Sequence, residues 1–435
     1  MKAGFARINI NPPIGTRMTG FGSRDRERGC EGIHDDIYVR ALYLEQEGRE
    51  VLIMGFDLLF FSRDEADRYK GAIGRRMDIA PGRILLNTSH THTGPKVGTW
   101  LYDPPSDPFY LQVLETAIVD AGCQARDSAV DAEVWAGATQ SKLPMSRRFK
   151  FPDGTVDRNL RPNPEGAVCD TLPVCLLRNL SGEPICLLFS VSCHPSTISG
   201  FEISAEFPGV AMERLDTHLG HSCALFLQGA GGDAKPSVID GGESWRRGTW
   251  GDVDASGTMV ANEVIDLLAG GLIEVGGDLE GHAVETQWPL EKSIGRGGFE
   301  KLLADPETDS TVRLWAEEKI AWLDRGYELP GTVPITVQGI QIGQGLRLVG
   351  LEGEAVAELG TLIEAFYGEG VTFPLGYTNG AQLYLPISRM LDEGGYEAVS
   401  YHEYRQPASL AKGMEDILEK GLRQLEKRGI QKGAP

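Results

Sequence analysis

The sequence predicts an α/β fold, a mixed β-sheet core layered with helices. Three observations point to it. Apolar runs joined by short polar turns read as hairpins, and a strand–helix–strand passage near the N-terminus suggests sheet and helix layers. Several strands also end in loops that carry histidine, glycine or carboxylate residues.

The elements follow in order. Gly4–Ile10 reads as a short strand broken by Asn11-Pro12-Pro13, and residues 14–32, rich in Gly and Arg without periodicity, as an ordered loop. Ile37–Glu45 and Arg49–Phe56 form a hairpin across Gln46-Glu47-Gly48. Ser62 caps a helix to Met77 with Asp64 and Glu65 in its first turn, and a strand follows at Ile84. Asp107–Ala121 is helical, Ala132–Ala138 a strand, and Met145–Asp157 a basic loop. Cys175–Arg178 and Pro184–Val191 make another hairpin, closing on His194-Pro195. Pro208–Leu219 is a helix, Cys223–Leu227 a strand, and Asp254–Ala269 a helix ending at Gly270-Gly271. Residues 299–325 read as charged helices split at Asp305-Pro306, with Trp315 and Trp322 on one face. Strands return at Val333–Ile342 and Leu346–Leu351, before a helix to about Phe366. Leu410, Met414, Ile417, Leu418, Leu422 and Leu425 stripe a last amphipathic helix that docks on the core. With no repeat and no linker, residues 1–435 read as one domain, with a helical excursion at about 295–328 and a docking helix at about 408–428.

Composition narrows the function. The 435 residues are 41% hydrophobic and 24% charged, which suits a large core and does not indicate disorder. Lys plus Arg number 42 against 62 Asp plus Glu, for a net charge of −20. So acidic a chain suits neither phosphate backbones nor anionic lipid, so neither nucleic acid nor membrane is expected as a partner. MKAGFARINI lacks the apolar stretch of a signal peptide, and Val51–Phe61 is too short to span a bilayer. Seven scattered cysteines without C-x-x-C spacing read as buried thiols of a cytoplasmic protein. Cys193, beside His194, reads as a small core residue rather than a nucleophile.

The most informative stretch is RILLNTSHTHTGP, Arg83–Pro95. If the backbone there is extended, His90 and His92 share a face and can aim at one point. Neutral imidazole is a common metal ligand, although an isolated H-x-H is as readily a pair of solvated loop histidines. Other strand ends carry similar chemistry: ICLLFSVSC leads to His194, CALFLQ to a glycine-rich turn with Asp233 and Lys235, and LRLVGL to Glu354. Ligands of open α/β sheets collect beyond the carboxyl ends of strands. Two imidazoles and a carboxylate make a site suited to zinc, and an open position on it suits hydrolysis. Spacing alone leaves open whether these residues meet.

The chain resembles the neutral, non-lysosomal ceramidases in their zinc-dependent amidase domain. The likeness is carried by GIHDDIYVRALYLE (Gly32 to Glu45), NTSHTHTGP, CHPS (Cys193 to Ser196), GAGGDAKP (Gly229 to Pro236), LEGE (Leu351 to Glu354), NGAQLY (Asn379 to Tyr384) and GGYEA around Tyr396. The resemblance implies a ceramidase-like catalytic domain with Zn2+ held by His90, His194, Glu354 and Tyr384. It implies a pocket histidine at His92, able to polarise the scissile group or shuttle a proton. It also implies a pocket arginine at Arg147 that grips an oxyanion, and a pocket tyrosine at Tyr396 that hydrogen-bonds the tetrahedral intermediate. Asp57 would order the site from behind the ligands.

Two departures matter. GDAKP puts Lys235 where the family carries a serine, leaving Lys235 as a general acid, an anion hook, or a cation paired with Asp233. The family's trailing β-sandwich and signal peptide are absent from the sequence, which favours a small soluble substrate over long-chain ceramide. The expectation is a zinc-dependent hydrolase that cleaves a carboxylic amide with metal-activated water, the proton reaching the leaving amine from His92 or Lys235. An ester or lactone hydrolase, a non-catalytic ligand-binding relative, and a homo-oligomer all remain open.

Overall fold

The computed structural model describes residues 1–98, 100–101 and 105–434. Its larger sheet has the strand order Ala224–Gln228, Pro184–Val191, Thr171–Asn179, Val130–Gln140, Lys2–Asn9, Tyr38–Gln46, Arg49–Phe56, Ile84–Thr88. The inner pairings are antiparallel, as hairpins require, and the outermost pair at each edge is parallel. The sheet is therefore mixed, as the sequence pattern suggests. Helices Arg63–Met77 and Pro108–Asp127 cover one region of it through Tyr69, Ile73, Leu114 and Ile118. Helices Glu206–Leu219 and Trp250–Gly270 cover another through Phe207, Leu215, Val260 and Val264.

Local signals act where they stand. The Ser62 side chain accepts from the Glu65 amide, and the Glu65 carboxylate accepts from the Ser62 amide at 2.9 Å, closing a capping box. Thr249 and Asp252 form a second one, which starts the following helix at Trp250, ahead of the expected Asp254.

A second sheet, Glu280–Pro289, Thr332–Gly343, Leu346–Leu351 and Val371–Leu375, packs on the first. Leu42, Leu188 and Leu225 from the first meet Ile340, Leu348 and Phe373 from the second in one fully buried cluster. Burying each such side chain contributes about 1.5–3 kcal/mol. The helical excursion is Gly295–Ala304 and Ser310–Asp324. Trp315 is buried there, but Trp322 is 42% exposed, because the second helix runs past the edge of its small core. The last helix begins at Met414, after Gly413 at φ 101°, rather than near residue 408. Leu410 lies before it, in an antiparallel bridge with Leu290. No helix among the described residues is long and apolar enough to cross a membrane.

The two edges of the larger sheet are drawn together by Asn87. Its Oδ1 accepts from the Gln228 amide at 2.7 Å, and its Nδ2 donates to Gly376 O at 2.8 Å and Gln228 O at 3.3 Å. One buried side-chain amide thus satisfies backbone groups that no strand pairing reaches. The second sheet joins this seam, since Ala230 N donates to Pro374 O at 3.0 Å. The carboxyl ends of strands from both sheets consequently open on one place.

Candidate metal centre

His90 enters the centre from a turn. Its φ is 64°, in the left-handed region that a non-glycine residue seldom adopts. The conformation is held by two bonds to the preceding segment, His90 N to Leu58 O at 2.9 Å and Nδ1 to Leu59 O at 3.0 Å. The expected extended H-x-H is therefore incorrect. The two rings converge through a turn, with Nε2 atoms 3.2 Å apart and planes at 83°.

His194 arrives from the other edge of the sheet. Its amide donates to Ala234 O at 3.1 Å, and its Nδ1 donates to Gly231 O at 2.7 Å. The glycines of GAGGD serve close approach here. A Cβ on Gly231 would lie 2.5 Å from the Cys193 amide, and one on Gly232 would lie 2.7 Å from Glu354 O. Glu354 follows the Leu346–Leu351 strand, and residues 354–355 pair in parallel with Tyr384–Leu385. That pairing places Tyr384 directly beside Glu354.

The polar atoms then gather. Glu354 Oε2 lies 3.3 Å from His90 Nε2 and 3.4 Å from His194 Nε2, and the Tyr384 hydroxyl is 3.4 Å from His194 Nε2. Ligand nitrogens of His90, His92 and His194 lie within 4.8 Å of one another. Both Nδ1 atoms pair with backbone carbonyls, which turns the Nε2 atoms of His90 and His194 inward. Burial and the Arg147 charge drive His194 down to about 3, so it is neutral. Burial raises the Glu354 carboxyl, but His90 and His194 outweigh it and hold the group well below its ordinary range. Two imidazole nitrogens and a carboxylate oxygen facing one point suit a cation. Burial also pushes the Tyr384 phenol well above its ordinary range, against the pull of Arg147. His92 differs from the other two histidines: its Nδ1 is buried without a partner and anchors to no carbonyl.

Arg147 is brought in as the resemblance implies, with NH2 3.0 Å from the Tyr384 hydroxyl and NH1 3.3 Å from His194 Nε2. Its Nε donates to Glu397 at 2.9 Å, and Arg148 donates to the other oxygen of the same carboxylate at 2.6 Å. Tyr396 packs its ring 5.5 Å from that of Tyr384, while its hydroxyl donates to Glu403 at 2.7 Å. Asp57 touches none of the histidines; it accepts from Arg40 at 2.6 Å and from the Tyr38 amide at 2.8 Å.

Lys235 is not paired with Asp233. The Asp233 carboxylate caps the next helix, accepting from Ala357 N at 2.8 Å, whereas Lys235 Nζ sits 5.4 Å from the Trp245 ring centroid. Sequence reasoning also missed three members of the site. Tyr377 donates to Glu354 Oε2 at 3.2 Å and stacks on His90 with centroids 4.2 Å apart; Tyr404 donates to Glu354 Oε1; Glu397 holds Arg147. For Glu397 a signal existed, a carboxylate adjoining Tyr396 in a recognised motif. Neither tyrosine is marked by anything in its local sequence.

No protein-family model matches the sequence, and no curated protein matches it. Solved structures do. The crystal structure of neutral ceramidase from Pseudomonas aeruginosa superposes with a TM-score of 0.73 at 15% identity, over 99% of this chain and 75% of that one. The fold is that of neutral ceramidase. A ceramidase complexed with C2 gives a TM-score of 0.72 at 14% identity, over 100% of this chain and 76% of that one. The ceramidase-like fold explains why strand ends so far apart in the chain open on one centre.

Proposed function

We propose that the chain is a zinc-dependent hydrolase that cleaves a carboxylic amide of a small soluble substrate. The observation that carries this reading is the convergence of two imidazole nitrogens and one carboxylate oxygen within 3.4 Å. The shared fold with neutral ceramidase supports an amide as the bond attacked. His90, His194 and Glu354 would hold the ion, with Tyr384 as a fourth ligand once its proton is displaced. Zinc at such a site supplies Lewis acidity, polarising a carbonyl and acidifying a water molecule.

The chain's own groups complete the chemistry. Arg147 presents NH1 and NH2 to the centre and steadies the charge that collects on the acyl oxygen. The clamp on Glu397 keeps that guanidinium from swinging away. Burial and the neighbouring His90 and His194 hold His92 well below its ordinary range, so it is neutral and has an unprotonated nitrogen to receive a proton and pass it to the leaving amine. Tyr396 packs edge-on against the Tyr384 ring at 5.5 Å.

The test is metal analysis of the purified protein together with His90→Ala and His194→Ala. About one zinc per chain is expected in the wild type, lost from both variants along with amide turnover. A protein without stoichiometric metal, whose variants match the wild type, would overturn the reading. Matched amide and ester analogues separate an amidase from an esterase.

A further inference from the structure

We infer that Lys235 forms an anion subsite beside the metal centre, and that the amide cleaved there carries a carboxylate. The inference rests on the amidase reading and extends it to substrate class.

Placement comes first. Ala234–Pro236 pairs with Pro144–Ser146, Lys235 opposite Met145, so Lys235 lies on the short ribbon that also fixes Arg147. The same ribbon accepts the His194 amide through Ala234 O and the Arg147 amide through Asp233 O at 2.9 Å. Lys235 is therefore tied to both the metal-ligand turn and the oxyanion arginine.

Its charge has no counter-ion. Among the described residues no carboxylate oxygen lies within 4.0 Å of Lys235 Nζ. Nearby carboxylates are engaged elsewhere: Asp233 with the Ala357 amide, Glu206 with Thr197 and with the amides of Ile198 and Phe207. In a chain of net charge −20, a half-buried ammonium left without an acid marks a place for an external one. Burial and Arg147 pull the Lys235 ammonium down to about 8, a cost that a bound anion offsets.

Two further donors stand idle on adjoining segments. Ser196 Oγ, on a residue 5% exposed, and Trp245 Nε1 are buried without hydrogen-bond partners. Ser196 sits between His194, which is bonded to Ala234 O, and Thr197, whose carbonyl lies so near Gly248 that a Cβ there would stand 2.0 Å from it. The segments bearing Lys235, Ser196 and Trp245 are thus neighbours. An ammonium, a hydroxyl and an indole N–H without acceptors suit a carboxylate, which brings only acceptors.

The experiment uses zinc-loaded protein and amide pairs differing only in one carboxylate. N-acetylphenylalanine against N-acetylphenethylamine places the charge on the amine side, and a succinic monoamide against the matching butyramide places it on the acyl side. The carboxylate member of at least one pair is expected to show a kcat/KM higher by about 10–100-fold, the scale of a charge-assisted hydrogen bond. Lys235→Met should collapse that ratio, and Lys235→Arg should restore part of it. Equal rates within both pairs would overturn the subsite while leaving the amidase reading intact. A uniform loss on both members in Lys235→Met would also overturn it, assigning a general acid instead. Should no amide be cleaved, the amidase reading fails separately. Calorimetry with the same compounds then decides the subsite: carboxylate preference abolished in Lys235→Met upholds it, and no preference in the wild type refutes it.

Discussion

The Tyr404 hydroxyl donates to Glu354 Oε1 while Glu354 Oε2 faces His90 Nε2 at 3.3 Å and His194 Nε2 at 3.4 Å. One oxygen is thus held by the Tyr404 phenol, while the other, which also accepts from Tyr377, is turned to the centre. Tyr404→Phe should leave Oε1 without its donor and lower metal affinity by about 10–100-fold, the usual cost of losing a ligand's supporting hydrogen bond. Competition with a chelator of known affinity measures it, and an unchanged affinity would show that the phenol only packs.

His92 and His90 should separate by function. His90→Ala removes an anchored inward-facing nitrogen and should empty the site. His92→Gln removes a nitrogen that no carbonyl anchors, so the metal should stay while turnover falls by about 10²–10⁴-fold. Metal content and rate, measured on the same preparations, check this. Loss of metal from His92→Gln would make His92 a ligand.

Asn87 should matter for stability rather than chemistry. Asn87→Leu leaves the Gln228 amide and the Gly376 carbonyl without the partner that joins the two sheet edges. Each buried group left unpaired costs about 1–3 kcal/mol, so unfolding in urea should shift to clearly lower denaturant. A midpoint within error of the wild type would mean that water replaces the amide.

Glu206 should give a pH dependence of stability. Burial lifts its carboxyl from 4.5 to about 7, against the amides of Phe207, Ile198 and Thr197. The folded state then binds more protons than the unfolded one between those values. This contribution is full below pH 4.5 and is lost as pH rises through about 7. Relative to Glu206→Gln, the wild type should lose up to about 1.4 kcal/mol per pH unit across that window. A difference that stays flat from pH 5 to 8 would refute it.

Much of the scaffold is legible because its signals are local. Ser62 and Glu65 are three residues apart and cap their helix together; Gln46-Glu47-Gly48 turns its hairpin where the apolar runs stop. Boundaries moved where a cap lay outside the apolar pattern, as Thr249 does, or where Gly413 delays a helix whose leucine stripe starts at Leu410. The strand ends bearing donors were legible one by one, whereas their convergence was not.

By itself the sequence determined which helices are capped and that His90, His194 and Glu354 stand just beyond apolar strands. Only the tertiary structure decided that His90 turns through a left-handed backbone, that Tyr377 and Tyr404 grip Glu354, and that Lys235 pairs with no carboxylate among the described residues. The reason is range. Caps and alternation act within a few residues, whereas Arg147 meets Glu397 across 250 positions and Tyr384 meets His194 across 190. Such meetings depend on strand order and on a seam closed by one asparagine, and neither is written in any local stretch of the chain.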